Sequence, residues 1–213
     1  MQVGVIGGTG PAGRGLAARA AQAGHAVLLG SRDADRANAI AVELRGASNV
    51  DISGCENADA AKAELVVAST PWDALVATMR PLATELRGKV VISMANALVK
   101  EGREMVAVIP ARGSMAAQLQ AALPDACVTA ALHHLPAAKM EDLESGLQAD
   151  VLVCGDDPDA RSVTCGFIDS LAGLRALEVG SLSQAGPIEA FTAVYITLNI
   201  RHKVHSTLRL AGI

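Results

Sequence analysis

Apolar and polar positions fall into three blocks over the first 36 residues. Val3-Gly4-Val5-Ile6 is an apolar run, residues 14–23 form an Ala-rich helical segment, and Ala26-Val27-Leu28-Leu29-Gly30 is a second apolar run. Strand, glycine-dense turn, helix and strand make a βαβ unit. The alternation continues with a helix over 33–45 closed by Gly46, a short strand at 50–52, a short helix at 57–63 and a strand at 65–68. A helix over 73–86 must kink or restart at Pro81, which cannot donate a helical hydrogen bond. A strand at 90–93, a polar stretch after Leu98, a helix over 114–123 stopped by Pro124 and a strand at 127–132 follow. Residues 151–154 and 159–172 pair as strand and helix, 177–179 can add a strand, and a long helix runs from 187 to about 208. That last helix is apolar on most faces through Ile200, which suits burial or a subunit interface.

Continuous apolar runs separated by helices imply a parallel sheet covered on both faces. The expected class is α/β: a Rossmann-type doubly wound parallel sheet with a small C-terminal α/β portion ending in a long helix. Residues 1–130 are expected to form the dinucleotide-binding domain and 131–213 a smaller C-terminal portion.

The glycines decide the chemistry. Gly7, Gly8, Gly10 and Gly13 satisfy G-x-x-G-x-x-G from Gly7 and G-x-G-x-x-G from Gly8. With Thr9, Pro11 and Ala12 they place a turn without bulky side chains at the start of a helix, where backbone amides point at a pyrophosphate. An NAD site carries Asp or Glu at the end of the second strand for the ribose 2′-hydroxyl. This chain has Ser31-Arg32, and Arg36 follows Arg32 at i+4 on the same helical face. A hydroxyl and two guanidinium groups suit the 2′-phosphate of NADP(H). The competing reading pairs Arg36 with Asp33 or Asp35 on a solvated helix.

Hydrophobic residues make up 51% of the chain, enough for a substantial core. Aromatics are 2% and the net charge is −4, which argues against nucleic-acid binding by stacking or a basic face. No apolar run reaches membrane-spanning length, so a cytoplasmic protein with no membrane partner is expected. Cys55, Cys127, Cys154 and Cys165 lack C-x-x-C spacing and suggest neither disulfides nor a metal site.

Ligands of open parallel sheets lie beyond the carboxyl ends of the strands. That rule points to residues 9–12, 31–32, 69–72, 93–98 and 133–137, with Trp72 and Val76 as a cofactor wall. His133-His134 invites acid–base chemistry, but a packing or hydrogen-bonding role is favoured, with at most one ring facing the ligand if both leave an extended strand. No catalytic side chain is assigned.

With these residues in hand, the chain resembles the coenzyme F(420):NADP oxidoreductase family, the NADPH-dependent F(420) reductases. The resemblance runs nearly end to end through Gly7-Gly8-Thr9-Gly10, Gly30-Ser31-Arg32, Pro71-Trp72, His133-His134, Val151-Leu152-Val153-Cys154-Gly155-Asp156-Asp157 and Arg201-x-Lys203-x-His205. It implies reversible hydride transfer between NADP(H) and the 5-deazaflavin coenzyme F(420) in a homodimer. Positioning two rings roughly 3–3.5 Å apart then supplies most of the catalysis. Carried over by position, Thr9, Gly10, Pro11, Ala12, Ser31, Arg32 and Arg36 hold the NADP phosphates and ribose. Trp72, Val76, Leu98 and the Ala137 backbone surround the nicotinamide half and the deazaflavin. The family often has Lys at position 36, and its bacterial members tend toward Asn-Pro-Leu where this chain has Asn96-Ala97-Leu98. Arg201, Lys203 and Arg209 are candidates for the anionic deazaflavin tail, or else complement a helix dipole. Two alternatives stay open: an NADPH-dependent imine, ketone or flavin reductase, whose proton donor would be His133, His134 or Lys139, and a non-catalytic NADP-binding redox sensor.

Overall fold

The computed structural model describes residues 1–48, 50–144 and 146–213. Eight strands form one sheet: β1 (Gln2–Ile6), β2 (Ala26–Ser31), β3 (Ile52–Glu56), β4 (Leu65–Ala68), β5 (Val90–Ser93), β8 (Cys127–Ala130), β9 (Ala149–Gly155) and β10 (Leu174–Glu178). Their order is β10-β9-β8-β5-β4-β1-β2-β3. Six strands from β3 to β8 run parallel; β9 turns antiparallel to β8, and β10 is parallel to β9. The direction of winding reverses between β1 and β4, so the switch-point crevice opens at their carboxyl ends.

Strand parity explains the two buried faces. In β4, Leu65 and Val67 join one cluster with residues of α1 (Pro11–Gln22), α2 (Ala34–Ser48), α6 (Ala137–Glu141) and α7 (Pro158–Ser170). Val66 and Ala68 face the other cluster, with α3 (Asn57–Ala60), α4 (Leu75–Met79), α5 (Met115–Ala122) and α8 (Ala185–His202). Alternate side chains of a strand point to opposite faces, and both faces are apolar because both are covered.

The expected elements are present, with differences in where several begin and end. The helix at 33–45 continues through Gly46 to Ser48, and the third strand begins where the expected one ends, at Ile52. Pro81 stops α4 at Met79 and starts a 3-10 turn, Arg80–Leu82. The polar stretch after Leu98 is a hairpin, β6 (Leu98–Glu101) with β7 (Glu104–Ala107), clasped to α8 through the Met105 N–H to Thr197 Oγ1 at 2.8 Å and a Glu104–Arg201 ion pair. The terminal helix ends at His202, because Lys203 turns left-handed (φ 54°) and the chain beyond it follows β9 instead.

Candidate functional site

The crevice at the switch point is a cleft of about 870 Å3. The turn after β1 supplies Gly7, Thr9, Gly10, Pro11 and Ala12 to its wall. Gly10 caps α1 in extended conformation with no side-chain hydrogen bond, so the first amides of α1 are left for a ligand. Gly7 has φ +70°, a left-handed conformation that suits glycine, and its N–H donates to Asn57 Oδ1 at 3.2 Å. Gly8 and Gly13 do not line the cleft. A Cβ on Gly13 would lie 2.7 Å from the Gly8 Cα, so these two glycines let α1 seat closely on the turn.

Ser31, Arg32 and Arg36 line the same cleft, at the end of β2 and in the first turn of α2. Asp33 accepts the Arg36 backbone N–H at 3.0 Å and thus caps α2. Both guanidinium groups are exposed, and neither makes an ion pair with a described residue. The pairing of Arg36 with Asp33 or Asp35 therefore does not occur; the carboxylate of Asp33 serves the backbone. Two free cations beside a strand-end hydroxyl fit a doubly charged phosphate.

Trp72 and Leu98 form the opposite wall and fix each other: the indole Nε1 donates to the Leu98 carbonyl at 3.2 Å. Val76 is not in this wall. Ala74 and Thr78, four residues apart, present the face that lines the cleft, and position 76 lies between them on the far side of the turn.

A second cavity of about 730 Å3 adjoins the first and shares Ala12, Met94 and Asn96 with it. Ala137, at the start of α6, lines this second cavity only, together with the His133-His134 turn, Tyr195 and Ile200 of α8, and Lys203 and His205 beyond it. Both histidines reach the cavity, against the expectation that at most one would. The reason is local: β8 stops at Ala130 and Leu132 is left-handed (φ 69°), so strand alternation no longer applies.

The rings are held neutral. Burial, with His134 alongside, pushes the His133 pKa down to about 3, and burial pushes His134 down to about 4. Among the described residues His133 has no hydrogen-bond partner of good geometry, only the Met94 backbone nearby; His134 Nδ1 meets Thr192 Oγ1 at 3.2 Å. Groups so reluctant to take a proton are poor general acids near neutral pH. Lys139 lines neither cavity. Of the three cationic candidates for a ligand tail, only Lys203 lines the second cavity. Arg201 pairs with Glu104, and Arg209 lies near Asp150 at 3.8 Å.

Asn57 and Tyr195, unlike Met94 and Asn96 of the nominated 93–98 stretch, were not expected as lining residues. Nothing in their local spacing marks them, because long-range contacts bring them together. Among the described residues there is no cluster that could hold a metal ion, and no helix is long and apolar enough to cross a membrane.

The family described as NADP oxidoreductase, coenzyme F(420)-dependent, matches residues 2–97. The F(420)-dependent NADP reductase of Methanocaldococcus jannaschii is 34% identical, over 97% of this chain and 96% of that protein. This chain belongs to the F(420)-dependent NADP oxidoreductase family. The enzyme of the same description from Methanothermobacter thermautotrophicus is also 34% identical, over 97% of this chain and 92% of its own length. A crystal structure of an Arthrobacter sp. FB24 protein, provisionally assigned as an F(420)-dependent NADP-reductase, superposes with a TM-score of 0.85 at 26% identity, covering 98% of both chains.

Proposed function

We infer that the first cleft takes NADP(H) and the second cavity takes the deazaflavin ring of coenzyme F(420). The chain is an oxidoreductase that transfers a hydride reversibly between these two molecules, the activity for which its relatives are named. One observation carries the reading: the two cavities share the wall made by Ala12, Met94 and Asn96. A direct transfer needs two rings in contact with water excluded, and a shared wall allows that where separate hollows would not. The cofactors supply the reactive carbons and the hydride. This chain's residues bind and orient them: the residue 7–12 turn at the pyrophosphate, Ser31, Arg32 and Arg36 at the 2′-phosphate, Trp72 and Leu98 along the nicotinamide half, and Ala137 at the deazaflavin.

On this reading residues 1–130 carry the NADP site and residues 131–213 most of the deazaflavin site. A cytoplasmic location, where NADPH is made, belongs to the same proposal. So does a homodimer, favoured by Phe191, Val194 and Leu198 exposed along α8. Light scattering would measure the dimer.

The deciding experiment mixes purified protein, NADPH and oxidised coenzyme F(420) and follows the deazaflavin's visible absorbance. Bleaching at the expense of NADPH is expected. Tight NADP binding with no turnover of any deazaflavin or flavin would leave a redox sensor in its place.

A further inference from the structure

Asn96 stands where the two cavities meet, in the walls of both. Its Nδ2 donates to the His133 carbonyl at 3.2 Å. That bond settles which way the amide faces, since a flipped amide would set carbonyl against carbonyl. The other end, Oδ1, is shielded from solvent and has no hydrogen-bond partner among the described residues. A buried acceptor of this kind calls for a donor, and a ligand at the junction can bring one once a small adjustment of the wall uncovers Oδ1.

Resting on the reading of the cleft as an NADP site, we propose that Asn96 positions the nicotinamide ring, its Oδ1 accepting a hydrogen bond from the carboxamide NH2. The location suits the task. The reactive end of the dinucleotide must lie at the junction to reach the second cavity, and Asn96 is the polar member of the three shared wall residues. The anchored Nδ2 holds the acceptor in one orientation through the backbone of the histidine turn. One planar contact at the carboxamide opposes rotation of the ring about its glycosidic bond, so it governs which face of C4 is turned to the acceptor.

The test is a cycle between one atom group on the ligand and one side chain. In 3-acetylpyridine adenine dinucleotide phosphate a methyl replaces the carboxamide NH2, so the donor is gone while the phosphates remain. Affinities of NADP+ and this analogue are read from quenching of Trp72, the single tryptophan, which lines the cleft. Wild-type protein is expected to bind the analogue about fivefold more weakly, within the roughly 2–12-fold range of one neutral hydrogen bond. Asn96→Ala is expected to bind the two equally. Adenosine 2′,5′-bisphosphate, which lacks nicotinamide, should bind both proteins alike and reports whether the variant keeps its nucleotide cleft.

If wild-type protein binds NADP+ and the analogue equally, the inference is overturned without any variant; a deazaflavin N–H on Oδ1 would produce that result. Discrimination by Asn96→Ala as strong as by wild type overturns it too. Failure of wild-type protein to bind NADP+ at all would instead remove the NADP site itself, which separates the two claims.

Discussion

Arg19, buried in α1, donates from Nε to the Met140 carbonyl at 3.0 Å and from Nη2 to the carbonyls of Lys139 and Asp142 at 2.7 Å each. These carbonyls end α6 and its following residue, so a cation on one ligand-facing helix closes the last turn of another. Burial lowers the Arg19 pKa and the nearby Asp142 opposes that shift. Arg19→Met keeps an apolar stem and removes all three donors. The expected loss is about 2–4 kcal/mol in urea unfolding, from stranded buried carbonyls. Because α6 begins at Ala137, KM for the deazaflavin should rise more than KM for NADPH; an equal rise would argue against this coupling.

Gly15 sets the same two helices at their distance. A Cβ there would lie 2.6 Å from the Met140 Cβ and 2.9 Å from the Glu141 N, so one side or the other must shift. Gly15→Ala should cost about 1–3 kcal/mol, the usual scale for overpacking, although alanine favours helix. A variant as stable as the parent would mean α6 can ride outward freely.

Arg32 and Arg36 should decide which nicotinamide cofactor is used. Both are exposed and make no ion pair with a described residue, so replacing them disturbs little else in the fold. Arg32→Ala and Arg36→Ala are each expected to raise KM for NADPH about tenfold or more, the scale of a charge-assisted bond, and to leave NADH kinetics unchanged. Parental protein that uses NADH and NADPH with equal efficiency would dismiss the phosphate assignment.

The parts of this site that could be read from the chain are those built by neighbours in sequence. The residue 7–13 turn and the Ser31-Arg32 and Arg36 group depend on spacings of one to a few residues, and β4 and β5 lie where their apolar runs end. Spacing assigns Gly8 and Gly13 to the phosphate turn; that a Cβ on either would collide with Leu29 or with Gly8 is a further constraint, which requires knowing what stands behind the turn. The β6–β7 hairpin is not legible in the chain because its residues are mostly exposed and its hold on α8 spans some ninety positions, from Met105 to Thr197. Distance hides the role of Arg19 as well, and although Asn96 falls in the nominated 93–98 stretch, its bond to His133 does not follow from that; the partners lie 121 and 37 residues away. An expected helix to about 208 overshoots the end of α8 because residues 204–208 carry no proline or glycine to stop it; their conformation is set by bonds to β9 and the residue before it.

Two kinds of buried group, a pair of histidines and a glutamate, should bend the pH–stability curve in opposite directions. Histidine ordinarily ionises near 6.5, while His133 and His134 resist down to about 3 and about 4. The unfolded chain thus binds protons that the fold refuses, so this contribution is complete above about 6.5 and is lost as pH falls toward 4 and then 3. Glu189 caps α5, accepting from the Met115 and Ala116 N–H groups at 2.8 and 3.1 Å, yet burial lifts its carboxyl from 4.5 to about 7. Its contribution is present below 4.5 and is lost as pH rises through about 7. Urea midpoints taken from pH 4 to 8 should show His134→Gln flattening the acid limb. Glu189→Gln should remove the decline toward neutrality. Variants whose curves stay parallel to the parent would assign the slopes to other groups.

Asp150 and Arg175 tie the end of the chain to the sheet. The Asp150 carboxylate, buried on β9, takes Arg175 Nε at 2.8 Å and Nη2 at 2.7 Å, and also accepts the Leu210 N–H at 2.6 Å. Its own N–H donates to the Leu208 carbonyl at 2.8 Å, and Arg175 reaches the Leu210 and Ile213 carbonyls. Arg175 holds the Asp150 carboxyl down to about 2 from 3.8, so the tie is intact above about 3.8 and is lost as pH falls toward 2. Upstream of this anchor, Lys203 and His205 wall the second cavity. Asp150→Asn removes the charge and one of the acceptors, leaving Arg175 without its counter-ion. Limited proteolysis should then cut within residues 204–213 faster than in the parent, and KM for the deazaflavin should rise while KM for NADPH holds. Faster cleavage with both constants unchanged would mean that the tail shapes no part of the cavity, and that Lys203 and His205 are positioned by α8 alone.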